Sequence, residues 1–382
     1  MRPSTDLKIS EYVEQHKEET LSLLKELAAI GAPSHKEEKR ALFCLNWLKK
    51  QGAENAYIDD AGNVIFPYHY SKDKKCIVFM AHMDVVFSET GTLPVTEDGD
   101  ILRAPGIGDD TANLVNLLMC IKYVLTHPLK HLDRGLLFVA NTCEEGMGNL
   151  KGCKNIFKNY KNIEEMMSFD IYLGHLVNAA VGSHRYEITV KTEGGHSHAD
   201  FGNANAIVEL AEIIRDLYAV PLPQTGNTTY NVGIFQGGTS VNTIAESAMI
   251  YYEFRSDCED SLEYMEKKLH EILASHQSDK VEIHTELLGV RPCSGKNIRQ
   301  KDLDSLTKRQ KELIEYYTHQ NVQICATSTD ANIPLSLGIP GVTFGTVSGG
   351  GVHTYEEWIE KSSLIPGQKL ALASVLQYDS AL

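Results

Sequence analysis

Residues 74–86 read KKCIVFMAHMDVV: two lysines, an unbroken apolar run from Cys76 to Ala81, then His82, Met83 and Asp84. A short apolar run without alternation is buried on both faces, as in a strand inside a parallel sheet, and here it ends in polar residues. The same grammar recurs in RGLLFVANTCEE (134–145) and EEMMSFDIYLG (164–174). Between the first two lies TANLVNLLMCIKYVL (111–125), apolar almost all round, which reads as a buried helix. Residues 8–51 read as helices. Ser34 is the expected N-cap of HKEEKRALFCLNWLKKQG, with Glu37 three residues on and Gly52 as the stop. NAYIDDAGNVIFPYH (55–69) turns at Asp60–Asn63, and another helix is expected around 300–320. Strands alternating with helices predict an α/β layer: a mixed, mostly parallel sheet with helices on both faces.

Near Gly182 the pattern changes. RYEITVKTEG alternates like a half-exposed strand, and NAIVELAEIIRDLY (205–218) is amphipathic, with Ile207, Leu210, Ala211, Ile214, Leu217 and Tyr218 read as its apolar stripe. TTYNVGIFQGG and SAMIYYEFRS follow as strands, SLEYMEKKLHEILASH as a helix and KVEIHTELLG as a last strand. The order β-α-β-β-α-β is a complete ferredoxin-like α+β unit. It is expected as an inserted domain over 183–290, with 1–182 and 291–382 forming the first domain.

Composition narrows the function. In 382 residues, 51 Asp and Glu stand against 36 Lys and Arg, a net charge of −15 that repels phosphate backbones and excludes nucleic acid as an expected partner. No apolar run is long enough for a membrane span, and MRPSTDLKISEYVEQHKEET lacks a signal core. The eight cysteines are scattered with no CxxC pair, as reduced core thiols would be. A cytoplasmic protein is expected.

Five polar segments sit where these strands end or loops begin. In His82-Met83-Asp84, positions i and i+2 of a strand share a face, so Asp84 can fix the tautomer of His82 and leave the other ring nitrogen for a metal. Gly106-Ile107-Gly108-Asp109-Asp110 opens the buried helix, where capping alone would also favour Asp. Glu144 and Glu145 are adjacent carboxylates whose repulsion a cation relieves, and neighbours on an extended chain point to different sides. Asp170 ends a strand, and His353 lies in the glycine-rich GGGVHTYEEW. Ligands of open α/β sheets bind beyond the carboxyl ends of the strands. Two His with three carboxylates suit zinc, cobalt or manganese.

AHMDVV, GIGDD, TCEEGMGNLKG, SFD and GGGVHTYEEW together resemble the co-catalytic zinc superfamily that contains peptidase T, carboxypeptidase G, succinyl-diaminopimelate desuccinylase and aminoacylase, most closely the peptidase T-like branch. The resemblance covers almost the whole chain. It implies two divalent ions, one held by His82, Asp109 and Asp170, the other by Asp109, Glu145 and His353, with Asp84 orienting His82 and Glu144 as general base. It also implies a lid histidine, His196 (His198 fits another spacing), substrate contacts from Asn242 and Arg255, and a homodimer through the lid domain. The stretch after Asp109, here Asp110-Thr111-Ala112-Asn113, departs from the Asp-Lys-x-Gly or Met-Lys-Gly common in relatives, which weakens transfer of any one substrate preference. The expected activity is hydrolysis of an amide bond, in a di- or tripeptide by an aminopeptidase, or in an N-acyl amino acid or peptide by a deacylase or carboxypeptidase. Cys143 beside Glu144 has no histidine base in its local sequence, so a thiol nucleophile is not expected.

Overall fold

The computed structural model describes residues 3–380. Two compact units emerge, one formed by the chain up to Ala180 and from Lys296 onward, the other by Val181–Gly295.

The first unit is built on an eight-stranded sheet. Across the sheet the strands run Tyr57–Ile58, Val64–Tyr68, Gly135–Asn141, Cys76–His82, Ile163–Phe169, Gly341–Phe344, His175–Ala180 and Gln323–Thr327. The middle four are mutually parallel, and antiparallel pairings begin only outside them. Their apolar runs are buried throughout, as strands covered on both faces must be. The carboxyl ends of these four strands therefore share one edge: His82, Asn141, Phe169 and Phe344, each followed by polar residues. The buried helix forms over Ala112–Thr126, and helices Pro3–Ala28, Glu38–Lys50, Gln300–Thr318 and Leu364–Leu376 complete the layer.

A smaller antiparallel sheet orders Gly349–Gly350, Trp358–Glu360, Ile101–Arg103 and Thr96–Asp98. Gly349 and Gly350 pair with Ile359 and Trp358, so the chain between them is a hairpin loop that carries His353.

The second unit has the ferredoxin-like order: Thr228–Gly237, Ser247–Ser256, Gly182–Lys191, Glu282–Arg291, all antiparallel. Helices Ala206–Tyr218 and Glu259–His276 pack on the face that carries Tyr186, Ile188, Val190, Ile250, Tyr252 and Phe254. The buried stripe of the first helix is Ala206, Leu210, Ile213 and Leu217, not the one starting at Ile207. The two series have the same helical spacing and differ by a small rotation, which sequence spacing alone does not fix. Tyr218 is exposed, and its hydroxyl accepts the backbone N–H of Val232. No helix among the described residues is long and apolar enough to cross a membrane.

Candidate metal centre

His82 sits at the end of its strand, 1% exposed. Its Nδ1 lies 3.0 Å from the main-chain oxygen of Asp84. A carbonyl only accepts, so Nδ1 carries a proton and Nε2 is the nitrogen left for an ion; against its burial, Asp110 and Asp109 raise the ring well above the ordinary imidazole range. Nε2 points at Asp109 Oδ1 (3.0 Å) and Asp170 Oδ1 (3.8 Å). The Asp84 carboxylate does more than sit beside His82 at 3.5 Å. Its Oδ1 accepts the backbone N–H of Glu144 at 3.0 Å, and its Oδ2 accepts that of Glu145 at 2.9 Å. One buried acid thus fixes the histidine and both glutamates.

On the other side of Asp109, His353 Nε2 lies 3.3 Å from Asp109 Oδ2 and 3.2 Å from Glu145 Oε1. The side chains fall into overlapping groups whose donor atoms lie within 4.8 Å of one another: His82, Asp109 and Asp170; Asp109, Glu145 and His353; and His82, Glu144 and Glu145. Asp109 belongs to two of them, one oxygen facing each histidine. The donor set, imidazole nitrogen and carboxylate oxygen, is that of a borderline divalent ion.

The charge balance points the same way. Burial and the neighbouring Asp109 push the carboxyl of Glu145 up to about 7, and burial with Asp109 raises Asp170 well above the carboxylate range. Asp109 and Glu145 raise His353 to about 10. Arg40, fully buried nearby, does not neutralise these acids by contact. Its guanidinium donates to the carbonyls of Ile30 and Met83 and to the Thr111 hydroxyl.

Several supporting residues are not among those the sequence assigned to the site. Ser34 and Glu37 do not cap the helix Glu38–Lys50, whose first turn has no side-chain cap. Ser34 Oγ donates to Asp84 Oδ2 at 2.6 Å, and Glu37 Oε1 accepts the backbone N–H of Cys143 at 2.9 Å. Buried partners take these groups in preference to a helix end that water can satisfy. Glu357, 1% exposed, accepts the backbone N–H groups of Gly106, Gly108 and Asp109 and the hydroxyl of Tyr172. It holds the loop that presents Asp109. Asp110 turns away and accepts the backbone N–H of His82 at 2.8 Å. Asp330, fully buried, accepts from Asn141 at the end of the neighbouring strand. His35 Nδ1 lies 3.4 Å from Cys143 Sγ, a neighbour the local sequence does not contain. Burial, with Glu37 alongside, pushes that thiol up to about 12, the opposite of an activated nucleophile.

His196, Asn242 and Arg255 lie in the second unit. The two-residue strands Gly195–His196 and Thr243–Ile244 pair, and Ser197 N–H donates to the Asn242 carbonyl, so His196 and Asn242 are neighbours. His196 Nδ1 accepts the backbone N–H groups of His198 and Ala199 at 3.2 and 3.3 Å. Arg255 stands apart, at the far end of the strand Ser247–Ser256.

Residues 178–281 match the peptidase dimerisation domain family, and residues 63–199 match peptidase family M28. The uncharacterised protein YqjE of Bacillus subtilis is 23% identical over 326 residues, 82% of this chain and 84% of that protein. N-acetyldiaminopimelate deacetylase of Bacillus velezensis is 22% identical over 272 residues, 67% and 71% of the two chains. The crystal structure of aminopeptidase PepT from Bacillus cereus superposes with a TM-score of 0.72 at 19% identity, over 95% of this chain and 98% of that one. In these two segments the chain is similar to peptidase families, and its fold is close to that of peptidase T.

Proposed function

We propose that the protein is a two-metal hydrolase that cleaves an amide bond of a small peptide, as a di- or tripeptide aminopeptidase. The observation that carries the reading is Asp109, whose two oxygens face His82 and His353 and link two donor groups. One divalent ion is assigned to His82, Asp109 and Asp170, the other to Asp109, Glu145 and His353, with zinc as the first choice and cobalt or manganese as alternatives. When bound, the ions supply Lewis-acid polarisation of the scissile carbonyl and lower the pKa of the attacking water.

The chain's own residues do the rest. Glu144, held by its backbone N–H on Asp84, takes the proton of the attacking water at its carboxylate and returns it to the leaving nitrogen. Asp84 keeps His82 in the tautomer that exposes Nε2. His196 is assigned as the lid histidine. Its Nδ1 already accepts two backbone N–H groups, so in the neutral ring the proton sits on Nε2, ready to donate to developing negative charge on the carbonyl oxygen. Asn242 and Arg255 contact the rest of the substrate, Arg255 as a fork for a carboxylate. We assign a homodimer through the second unit, whose match to a peptidase dimerisation domain supports it, and a cytoplasmic location, with which eight free cysteines agree.

A second reading is favoured by Arg255, which suits a free carboxylate better than any residue here suits a free amine: an N-acyl amino acid deacylase or carboxypeptidase on the same centre. The similarity to a deacetylase supports it. Protein stripped with chelator and reloaded with zinc, cobalt or manganese separates the two on Ala-Ala-Ala, Ala-Ala and N-acetyl-Ala. Metal-restored release of the N-terminal residue from the tripeptide supports the aminopeptidase; preference for the acetyl compound supports the deacylase. No turnover with any metal refutes both.

A further inference from the structure

Arg255 is assigned above to a substrate carboxylate, yet one edge of its guanidinium is already occupied. Nε donates to Glu253 Oε1 at 3.0 Å and Nη2 to Glu253 Oε2 at 3.2 Å. Glu253 precedes Arg255 by two residues on the strand Ser247–Ser256, so the two side chains share a face. Directly across the sheet in register stands Arg185, whose Nε donates to the same Glu253 Oε2 at 3.2 Å. This is the face turned away from the two helices, which cover Tyr186, Tyr252 and Phe254. Burial would raise the carboxyl of Glu253, but Arg255 and Arg185 outweigh it and hold Glu253 below its ordinary range, so it is a carboxylate at neutral pH.

A guanidinium has two edges that fit a carboxylate: Nε with one terminal nitrogen, and the two terminal nitrogens together. Glu253 takes the first. The second contains Nη1, which makes no hydrogen bond among the described residues, and the Arg255 side chain keeps 38% of its surface exposed. We propose that Glu253, itself anchored by Arg185, is a positioning residue that fixes Arg255 with its terminal edge turned outward, and so makes the enzyme select substrates with a free carboxylate at the end remote from the scissile bond. Without the bond to Glu253 a long, rotatable side chain would have to be ordered by each substrate, and without Arg185 the glutamate itself would be free to turn.

This rests on the assignment of Arg255 to substrate, so the test separates the two claims. The metal-loaded enzyme is assayed on its best substrate as the free acid and as the C-terminal amide. Folding of each variant is checked by its unfolding midpoint. In the parent enzyme the acid is preferred. In Glu253→Gln the acid-to-amide ratio of kcat/KM falls about tenfold, through a higher KM for the acid, the scale expected when a charge-assisted fork loses its alignment. Glu253→Asp, which keeps the charge but withdraws it from Arg255, shifts the ratio the same way and serves if the glutamine variant fails to fold. An unchanged ratio overturns the proposal, and so does a lower KM for the acid, which would show Glu253 to be a competing counter-charge. The variant Arg255→Met tests the foundation: if it keeps the parent ratio, the assignment of Arg255 to substrate has failed instead.

Discussion

Glu357 offers the sharpest test of how the centre is built. One carboxylate accepts four donors: Gly106 N–H at 2.9 Å, Gly108 N–H at 2.9 Å, Asp109 N–H at 2.8 Å and Tyr172 OH at 3.0 Å. Glu357→Gln keeps the shape but replaces one acceptor oxygen with an NH2 group. If the amide takes the place of Oε2, it faces the N–H of Gly106, leaving a buried donor unmatched at a cost of about 1–3 kcal/mol. Burial and Asp109 push this carboxyl up to about 7, so above that pH the three remaining bonds lose the charge that roughly doubles their strength, about 0.5–1 kcal/mol each. Since neighbouring bonds do not add fully, the net loss is about 3 kcal/mol. For a unit of this size that lowers the midpoint of thermal unfolding by roughly 6–10 °C. Calorimetry of the chelator-treated protein reads the stability, and elemental analysis after dialysis reads the metal. Because the loop carries Asp109, bound metal should fall with stability. A shift below about 2 °C with full metal occupancy would show that the four bonds do not hold the loop, and the reasoning would be refuted.

The remaining predictions concern chemistry and pH. Glu144→Ala should lower turnover by about 10³-fold, within the range for a lost general base, while metal content stays at the parent value; loss of an ion would make Glu144 a ligand, as its group with His82 and Glu145 allows. His353, raised to about 10 by Asp109 and Glu145, is protonated at pH 7 in the ion-free protein, so an ion must displace that proton. The group's pKa lies above the working pH, so affinity rises with pH, by about a factor of ten per unit from 7 to 9, and more steeply below 7, where Glu145, raised to about 7, also holds a proton. Competition with a fluorescent chelator from pH 6 to 9 checks this; a flat profile would mean that neither group binds the ion.

The elements that present the site were legible because their signals are local. An unbroken apolar run that stops at His82, or at Asn141 before Glu144 and Glu145, marks both the strand and the edge where it ends. The supports were not legible, because their partners are remote in the chain. Ser34 and Glu37 have the spacing of a capping box, and only the fold shows that Asp84 and the N–H of Cys143 claim them instead. Glu356 and Glu357 look alike in sequence, but the hairpin buries Glu357 against the Asp109 loop and leaves Glu356 exposed. His35 reaches Cys143 across 108 positions, and Asp330 reaches Asn141 across 189. Side-chain bonds between distant segments carry no periodicity for a sequence reading to detect.

The supports also explain why the centre calls for cations. Asp84 is fully satisfied by two backbone N–H groups and a hydroxyl, and burial notwithstanding, His82 with Ser34 holds it below the carboxylate range. Glu357 is likewise surrounded by donors. The acids in the two ligand groups are arranged differently: Asp109 and Glu145 turn oxygens toward His353 Nε2, and Asp170 turns one toward His82 Nε2, the ring nitrogen that the Asp84 carbonyl leaves free for an ion. Arg40, the buried cation close by, spends its donors on carbonyls and Thr111. A fold that needed only to neutralise these acids would have turned a guanidinium or several backbone N–H groups onto each, as it does with N–H groups at Asp84 and Glu357; among the described residues only Asp170 of the three accepts one, from Ile171. Leaving Asp109, Glu145 and Asp170 aimed at imidazole nitrogens is an arrangement that a divalent ion satisfies by taking the place of the ring protons, and it is why the reading of two ions rests on the orientation of the acids rather than on their number.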